Sequence, residues 1–261
     1  MSTNDNPEDA TLGVEDHGQL YRTGLLLEPG GMTVSYNTFA DNIGCLTRDQ
    51  IGKILADPKR LSAREEFGPD WVLNQGRRGS CASYATAGII EKLTKRRTGS
   101  RTPLGPEFLY SLVNGGRDQG SVLKYNIDKA QDPGIPPREY VKYESYLTRD
   151  MSPEAFANSR RFGIDRGEIF GIHSADELAS AIALNWLVLV AVHVNNSFFQ
   201  LDGNGVVSPT NGRGNHAVHC DDLRISDRGE YQFDHGGSWG TTYGQQGKGW
   251  LTWDRHFKST I

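Results

Sequence analysis

The segment NQGRRGSCASY, residues 74–84, decides the fold that the sequence predicts. Ser80 is a suitable N-cap for a long helix, and the apolar residues after it have the spacing of one buried helix face. Cys81 then lies in the first turn, where the helix dipole favours a thiolate and lowers the thiol pKa. Gln75, on the preceding loop, is a candidate donor to an oxyanion, together with the backbone N–H of Cys81. The segment therefore predicts a nucleophilic cysteine; the alternative is a small buried cysteine at a helix start.

A thiolate nucleophile needs an imidazole that is close in space but often far away in sequence. His216, in GNHAV at residues 214–218, follows Cys81 by about 135 residues, within the range of about 130–150 residues typical of such pairs. It stands where a loop is predicted to enter a strand, and it would protonate the leaving amine. The alternative for His216 alone is a hydrogen-bonded histidine of a strand.

A metal site at the same strand is a weaker interpretation. His216 and Cys220 would point to one face of the strand and His219 to the other, and no second Cys/His pair has zinc spacing. We therefore predict no metal and no other cofactor.

These motifs resemble the active-site segments of the papain family of cysteine peptidases, including its bacterial and viral-type relatives. The family pattern Gly-Ser-Cys-Trp-Ala-Phe becomes GSCASY at residues 79–84, so Ala82 replaces a tryptophan. Arg78 replaces the cysteine that usually lies three residues before the nucleophile. The resemblance implies an α+β fold of two lobes, with the active site in the cleft between them.

The implied domains follow the order of the patterns along the chain. They are an N-terminal extension at residues 1–68, a helical lobe at 69–170 that carries Cys81, and a β-rich lobe at 171–261 that carries His216. Periodicity and capping signals predict helices at 48–55, 107–113, about 121–129 and 174–184, and strands at 186–194, 217–223 and 230–233.

Further likeness concerns the substrate. The sequence PEFLY at 106–110 and the loop QGS at 119–121 are similar to segments of bacterial papain relatives. The resemblance implies that Gly120 and Ser121 offer backbone groups to a peptide substrate, which pairs as an added strand. The alternative for this loop is an ordinary connection between helices.

The third catalytic position departs from the family pattern. Where the family has Asn-Ser-Trp-Gly, this chain has GSWG at residues 237–240, so Gly237 occupies the place of the asparagine that orients the imidazole. Trp239 is retained as a shield of the site. His235, two residues earlier, is a candidate substitute for the orienting group, as are a backbone carbonyl and a water molecule.

The leading segment carries NTFAD at residues 37–41, which is similar to the Asn-x-Phe-x-Asp run of papain-family propeptides. The extension is thus predicted to be an inhibitory prosegment or a docking arm.

Composition limits the partners and the compartment. With 28 basic and 32 acidic residues, the chain gives no reason to expect nucleic acid or a membrane surface as a partner. Three cysteines are too few for a disulfide framework, and the polar N-terminus has no secretory signal, so we expect a cytoplasmic or otherwise reducing compartment. The sequence does not indicate an oligomeric state, and it leaves incorporation into a larger assembly open.

The sequence thus predicts a cysteine-type peptidase that hydrolyses peptide bonds of a protein or peptide substrate through Cys81 and His216, with Gln75 in the oxyanion hole. The alternative is a catalytically impaired papain-fold protein with a binding or structural role, because Gly237 offers no side-chain acceptor.

Overall fold

Two lobes of different secondary structure meet along the long helix that Cys81 begins. The computed structural model describes residues 13–16, 18–26 and 36–257. The polar tail at residues 1–12 lies outside the described residues, as do residues 17, 27–35 and 258–261.

The leading segment forms short elements only. They are β1 (Val14–Asp16), β2 (Gln19–Tyr21), β3 (Leu25–Leu26), α1 (Phe39–Asn42), α2 (Arg48–Leu55) and α3 (Ala63–Glu66). Strands β1 and β2 form an antiparallel hairpin. Helix α2 has the predicted bounds, and Thr47 and Gln50 close a reciprocal capping box at its start.

The helical lobe contains α4 (Cys81–Thr98), α5 (Pro106–Val113), a two-residue strand β4 (Ser121–Val122), α6 (Leu123–Gln131) and α7 (Pro153–Ser159). Ser80 occupies the N-cap position of α4, as predicted, although its side chain makes no capping hydrogen bond. Helix α6 begins two residues later than predicted because β4 pairs in parallel with β3, from about a hundred residues earlier.

The β-rich lobe contains α8 (Ala175–Ala183) and a four-stranded antiparallel sheet in the order β5 (Val188–Val192), β6 (His216–Ile225), β7 (Tyr231–Gly236) and β8 (Lys248–Leu251). Ser174 caps α8 through the backbone N–H of Glu177, as predicted. Strand β6 is buried along most of its length because α4 and α8 both pack against it. Short 3₁₀ turns lie at Pro69–Trp71, Arg138–Tyr140, Thr148–Asp150, Arg166–Glu168 and Asn196–Phe199, and a π turn at Trp253–Phe257.

The largest apolar core belongs to the β-rich lobe, and residues 36–68 join it. Phe39 is 1% exposed and lies edge-on to Phe170 and Trp186, while Ile51 of α2 is fully buried in the same cluster. The structure therefore divides the predicted extension into two parts with different surroundings. A separate small cluster around Ile90, Leu109 and Ile135 fills the helical lobe. Among the described residues, no helix is long and apolar enough to cross a membrane.

Buried charges join α3 and α4 to the sheet. Lys92 of α4, 2% exposed, contacts Asp221 and lies 2.6 Å from Nε2 of His219. Arg64 of α3 binds the fully buried Asp234 with an N–O distance of 2.7 Å. Buried charges are tolerated when they are paired in this way, so the cluster fixes the relative position of its elements.

Candidate active site

Cys81 is the first residue of α4 and is fully buried at the junction of the two lobes. Its thiol hydrogen-bonds to the backbone of Ala217 and shares a small apolar cluster with Leu25, Ala82 and Ala85. Burial raises the pKa of the Cys81 thiol to about 12, and the backbone hydrogen bonds only partly offset this. The predicted lowering of this pKa is therefore wrong for the closed cleft, because desolvation outweighs the helix dipole.

His216 is the first residue of β6, next to Ala217, and its ring is fully buried. It stacks on the indole of Trp239 with a centroid distance of 4.1 Å and an interplanar angle of 21°. Neither ring nitrogen has a hydrogen-bond partner among the described residues. Burial, and secondly the nearby His235, lower the pKa of His216 to about 3, so the imidazole is neutral here. The structure thus brings Cys81 and His216 to neighbouring positions without a hydrogen bond between them.

Gln75 lies on the loop before α4 and is 1% exposed. Its Nε2 donates to the backbone carbonyls of Arg22, at 3.2 Å, and Arg78, at 2.6 Å. The hydroxyl of Ser238 donates to its Oε1 and fixes the amide orientation. Both N–H groups of the predicted oxyanion donor are therefore in use in this structure.

The Gly237 region differs from what a complete triad would show. Gly237 is buried, yet a Cβ added to it would meet no described atom within 4 Å, apart from its chain neighbours. His235 Nδ1 donates to the carbonyl of Gly249 at 2.7 Å, and its ring lies edge-on to Phe198 and Tyr243. Among the described residues, His235 makes no direct hydrogen bond to His216, and its role as a substitute for the orienting group stays a prediction.

The cleft is crossed by a segment that we call the strap, residues 13–16 and 18–26. The backbone N–H groups of Gly24 and Leu25 donate to the carbonyl of Asn215, at 3.1 and 3.0 Å. The carbonyl of Gly24 accepts from the N–H of Ser121 at 2.8 Å. The loop that was predicted to pair with an extended substrate is therefore paired with this chain's own backbone.

The strap approaches the cleft closely because glycines line the contact. A Cβ on Gly24 would lie 2.1 Å from the carbonyl oxygen of Gly79, and a Cβ on Gly120 would lie 2.3 Å from that of Gly24. Gly120 also has a φ of +93°, which favours glycine. Neither Gly24 nor Asn215 was predicted as a site residue, because backbone contacts leave no residue-type signal.

The strap covers Trp239 as well. Tyr21 lies 4.6 Å from Phe199 and 5.3 Å from Trp239 between ring centroids, and the Trp239 indole N–H donates to the carbonyl of Arg22 at 2.9 Å. Trp239 thus shields His216 on one side and holds the strap with its polar edge.

An apolar cavity opens next to the cleft, with a volume of about 570 Å³. Its wall near Cys81 is formed by Leu123, Leu189 and Ala191, which also pack against the apolar cluster that contains Cys81 and Leu25. The cavity continues towards Phe170 and Trp186. Among the described residues, no group of three metal-ligating side chains comes together here or elsewhere.

Residues 58–260 match a family model described as papain family cysteine protease. The chain is 29% identical over 201 residues to a cathepsin L-like peptidase of Aedes aegypti, which covers 73% of this chain and 57% of that protein. It is 25% identical over 195 residues to cysteine proteinase EP-B 1 of Hordeum vulgare, covering 73% and 52%. The chain thus spans between half and three fifths of the length of these curated relatives.

Solved structures share the fold. Xylellain, a cysteine protease from Xylella fastidiosa, superposes with a TM-score of 0.62 at 17% identity, covering 97% of this chain and 93% of that chain. Procathepsin L 3 of the Tenebrio molitor larval midgut gives a TM-score of 0.54 at 18% identity, covering 84% and 76%. The predicted two-lobed α+β fold is confirmed by these likenesses.

Proposed function

Because the chain belongs to the papain family of cysteine proteases, we propose that it is a cysteine peptidase with Cys81 as nucleophile and His216 as proton partner. One observation carries this proposal: the first turn of α4 meets the first residues of β6. The Cys81 thiol reaches the backbone of Ala217, and His216 is the residue before it. The two proposed catalytic residues are therefore brought together by the packing of α4 on β6.

In the proposed reaction, His216 first accepts a proton and later donates one. Cys81 gives its proton to His216 and attacks the carbonyl carbon of the substrate. The carbon–nitrogen bond then breaks, the imidazolium protonates the leaving amine, and an acyl-enzyme remains. Water, deprotonated by the neutral His216, hydrolyses the acyl-enzyme and restores the thiol.

The oxyanion of each tetrahedral intermediate would be held by Gln75 and the backbone N–H of Cys81. One of the two present acceptors of Gln75 is the Arg22 carbonyl of the strap. Release of the strap frees that N–H, while Ser238 still holds the other end of the amide.

The described structure is, on this proposal, the latent form. The strap uses the backbone groups of Asn215 and Ser121 that a substrate would use, and Leu25 covers Cys81. This makes residues 13–26, rather than the whole extension, the inhibitory part. The propeptide-like motif at residues 37–41 contributes Phe39 to the core of the β-rich lobe instead.

Leu25 also supports a substrate preference. It belongs to the apolar cluster of Cys81, and Leu123, Leu189 and Ala191 pack against that cluster and also line the neighbouring cavity. We expect substrates with leucine or an aromatic residue at the position that pairs with Ser121 to be hydrolysed faster than those with aspartate there, because burial of a charged group is unfavourable. The rates on a peptide series that varies this one residue measure the preference.

The alternative function is that of a binding or structural protein with the papain fold. It is favoured by Gly237, which offers no acceptor to His216, and by the neutral state of both Cys81 and His216.

Alkylation of Cys81 by iodoacetamide across pH separates the two functions. Cys45 is an exposed free thiol and would react as well, so the full chain carries Cys45→Ser; Cys220 is fully buried. Gly24→Val is added to displace the strap. A peptidase is expected to react with a midpoint well below the value of about 8.5 of a free cysteine, and to hydrolyse denatured protein.

Two controls complete this experiment. Cys81→Ala should abolish both labelling and hydrolysis, and His216→Asn should return the labelling midpoint to about 8.5. An ordinary thiol curve in the Gly24→Val chain, without hydrolysis of protein or peptide esters, would contradict the peptidase and favour the binding role.

A further inference from the structure

Strand β7 and the residues after it carry an unfilled space beside a buried imidazole. Gly237 is buried, and no described atom beyond its chain neighbours lies within 4 Å of the position that its Cβ would take. Buried water molecules occupy spaces that polar groups surround. The two residues that follow Gly237, Ser238 and Trp239, contact Gln75 and His216 respectively.

Three buried ring nitrogens that need partners belong to His216 and His235. His216 has both ring nitrogens unpartnered among the described residues, and His235 has Nε2 unpartnered, although both residues are fully buried. Buried ring nitrogens are normally hydrogen-bonded, so we expect His216 and His235 to share a hydrogen-bond partner.

Strand register puts these atoms and the space on one face of the sheet. Cys220 pairs with His235, and His219 pairs with Gly236. Because side chains alternate, Gly237 faces the same way as His235, and His216 faces the same way as Cys220. The stacking of His216 on Trp239 shows that the two segments remain adjacent beyond the last ladder pair. Gly237 therefore lies between His235 and Trp239, whose ring shields His216.

The tautomer of His235 is fixed. A carbonyl oxygen only accepts, so the bond from Nδ1 to Gly249 means that Nδ1 carries the hydrogen and Nε2 is an acceptor. His216 instead needs a group that accepts the N–H turned away from Cys81. A water molecule satisfies both needs, since it accepts from one ring and donates to the other.

We propose that His235 positions His216 through a water molecule held beside Gly237, in place of the side-chain acceptor that Gly237 lacks. This rests on the proposed peptidase function. The proton stays on each donor throughout: His216 N–H donates to the water, and the water donates to His235 Nε2. His235 is thus a positioning residue, and the relay holds the imidazole ring in the plane that suits proton exchange with Cys81.

The groups that act on His235 keep it neutral. Burial is the main cause of its lowered pKa; His256 and Arg64 lower the pKa further, while the Gly249 carbonyl and Asp221 act in the opposite direction. A neutral His235 can accept a hydrogen bond while His216 becomes an imidazolium. On the His216 side, His235 is the one charged or titratable neighbour that shifts the ring among the described residues.

The test is a double-mutant cycle in the full chain carrying Cys45→Ser and Gly24→Val. The first substitution is Gly237→Asn, which fits because the Cβ meets nothing and the backbone does not lie in the left-handed region. The second is His235→Phe, whose ring suits the neighbouring Phe198 and Tyr243. The readouts are the rate of Cys81 alkylation at pH 6, its full pH profile and peptide hydrolysis.

The two backgrounds should respond differently. His235→Phe should slow alkylation at pH 6 by about tenfold and move the midpoint upward when Gly237 is present. In the Gly237→Asn background the same change should have no effect, because the amide now holds His216 directly. Gly237→Ala, which fills the space with a methyl group, should match the loss caused by His235→Phe.

An equal effect of His235→Phe in both backgrounds would overturn the proposal, as would an unchanged pH profile in Gly237→Ala. If His235→Phe does not fold, His235→Gln and the contrast between Gly237→Ala and Gly237→Asn still decide the matter. An ordinary thiol curve without hydrolysis in the Cys45→Ser, Gly24→Val parent chain would instead mean that the peptidase function itself fails.

Discussion

The leading segment contains two parts that contact the rest of the molecule in different ways. The strap pairs with the cleft through backbone hydrogen bonds, such as those from Gly24 and Leu25 to Asn215, and adds the ring contacts of Tyr21. Residues 36–68, which we call the clamp, pair with Gly171 through the backbone but also bury Phe39 and Ile51 in the main core. Backbone attachment can be replaced by any extended peptide, whereas side-chain attachment cannot. The comparison teaches that one N-terminal extension can combine a part of the folded core, the clamp, with a segment that a substrate can displace from the cleft, the strap.

The ion pairs follow the same division. Arg60 and Arg64, both in the clamp, bind Asp222 and Asp234 at 2.8 and 2.7 Å, and each carboxylate is at least nine-tenths buried. Loss of one partner of a buried pair is strongly unfavourable, so the clamp cannot leave without unfolding the sheet beneath it.

The largest expected effect comes from a matched pair of aromatic truncations. Phe39→Ala in the clamp should lower the free energy of unfolding by about 3–5 kcal/mol, because it opens a cavity in the core. Tyr21→Ala in the strap, where the ring is 6% exposed and packs on Phe199 and Trp239, should lower the free energy of unfolding by less, because the strap can detach while the sheet stays folded, and should increase alkylation of Cys81. Urea denaturation and iodoacetamide labelling measure the two quantities. Equal losses of stability would remove the distinction between strap and clamp.

Gly24→Val should act on the strap alone. Its Cβ would meet the backbone of Gly79, and such overpacking is worth about 1–3 kcal/mol. Hydrolysis and labelling of Cys81 are therefore expected to rise by about tenfold to a hundredfold, with a small change in melting temperature. The matched control is Gly52→Val in α2 of the clamp, where an added Cβ meets no described atom within 4 Å. If both valines raise the activity equally, the effect does not come from the strap.

Acid should distinguish the closed cleft from the open one. The pKa of His216 is lowered to about 3 by burial, against about 6.5 in the unfolded chain. The unfolded state then binds the extra proton, so this contribution to stability is complete above pH 6.5 and is lost as the pH falls towards 3.

Removal of the strap exposes His216 to water, so its pKa should return towards the unfolded value. Most of the pH-dependent stability that arises from His216 should then disappear. Between pH 6 and 4 the free energy of unfolding should fall less steeply in Gly24→Val than in the parent chain, by up to about 1.4 kcal/mol per pH unit. His219, His235 and His256, whose pKa values are also lowered by burial, affect both chains alike. Identical slopes would mean that the strap does not desolvate His216.

The smallest effect is expected on the outer surface of the clamp. Lys53 and Asp49 form an ion pair whose side chains are about three-quarters exposed. Lys53→Ala should therefore change the free energy of unfolding by less than about 0.5 kcal/mol. A larger loss of unfolding free energy would mean that a residue contributes to stability by belonging to the clamp and not by being buried.

The sequence predicts elements well where the signal is local. The bounds of α2 and the cap of α8 follow from residues within one turn of each helix end. The neighbouring positions of Cys81 and His216 were predicted from motif resemblance, and their catalytic roles stay predictions.

The pairing of the strap with the cleft was not predictable because its backbone hydrogen bonds carry no side-chain pattern. Gly24 meets Asn215 and Ser121 through backbone atoms that every residue has, across about a hundred residues of sequence or more. The one recognisable propeptide-like motif, at residues 37–41, belongs to the clamp. The pKa of Cys81 was predicted with the wrong sign for the same reason, since the burial that raises it includes Leu25 of the strap.

Trp239 has a use that follows from its two contacts. Its ring face lies against His216, and its indole N–H donates to the Arg22 carbonyl of the strap. Departure of the strap exposes the polar edge of this indole to water, and protonation of His216 puts a cation on its face. Trp239 is therefore an intrinsic fluorescent reporter whose emission should register strap release and imidazolium formation as two separate spectral changes, without any added dye.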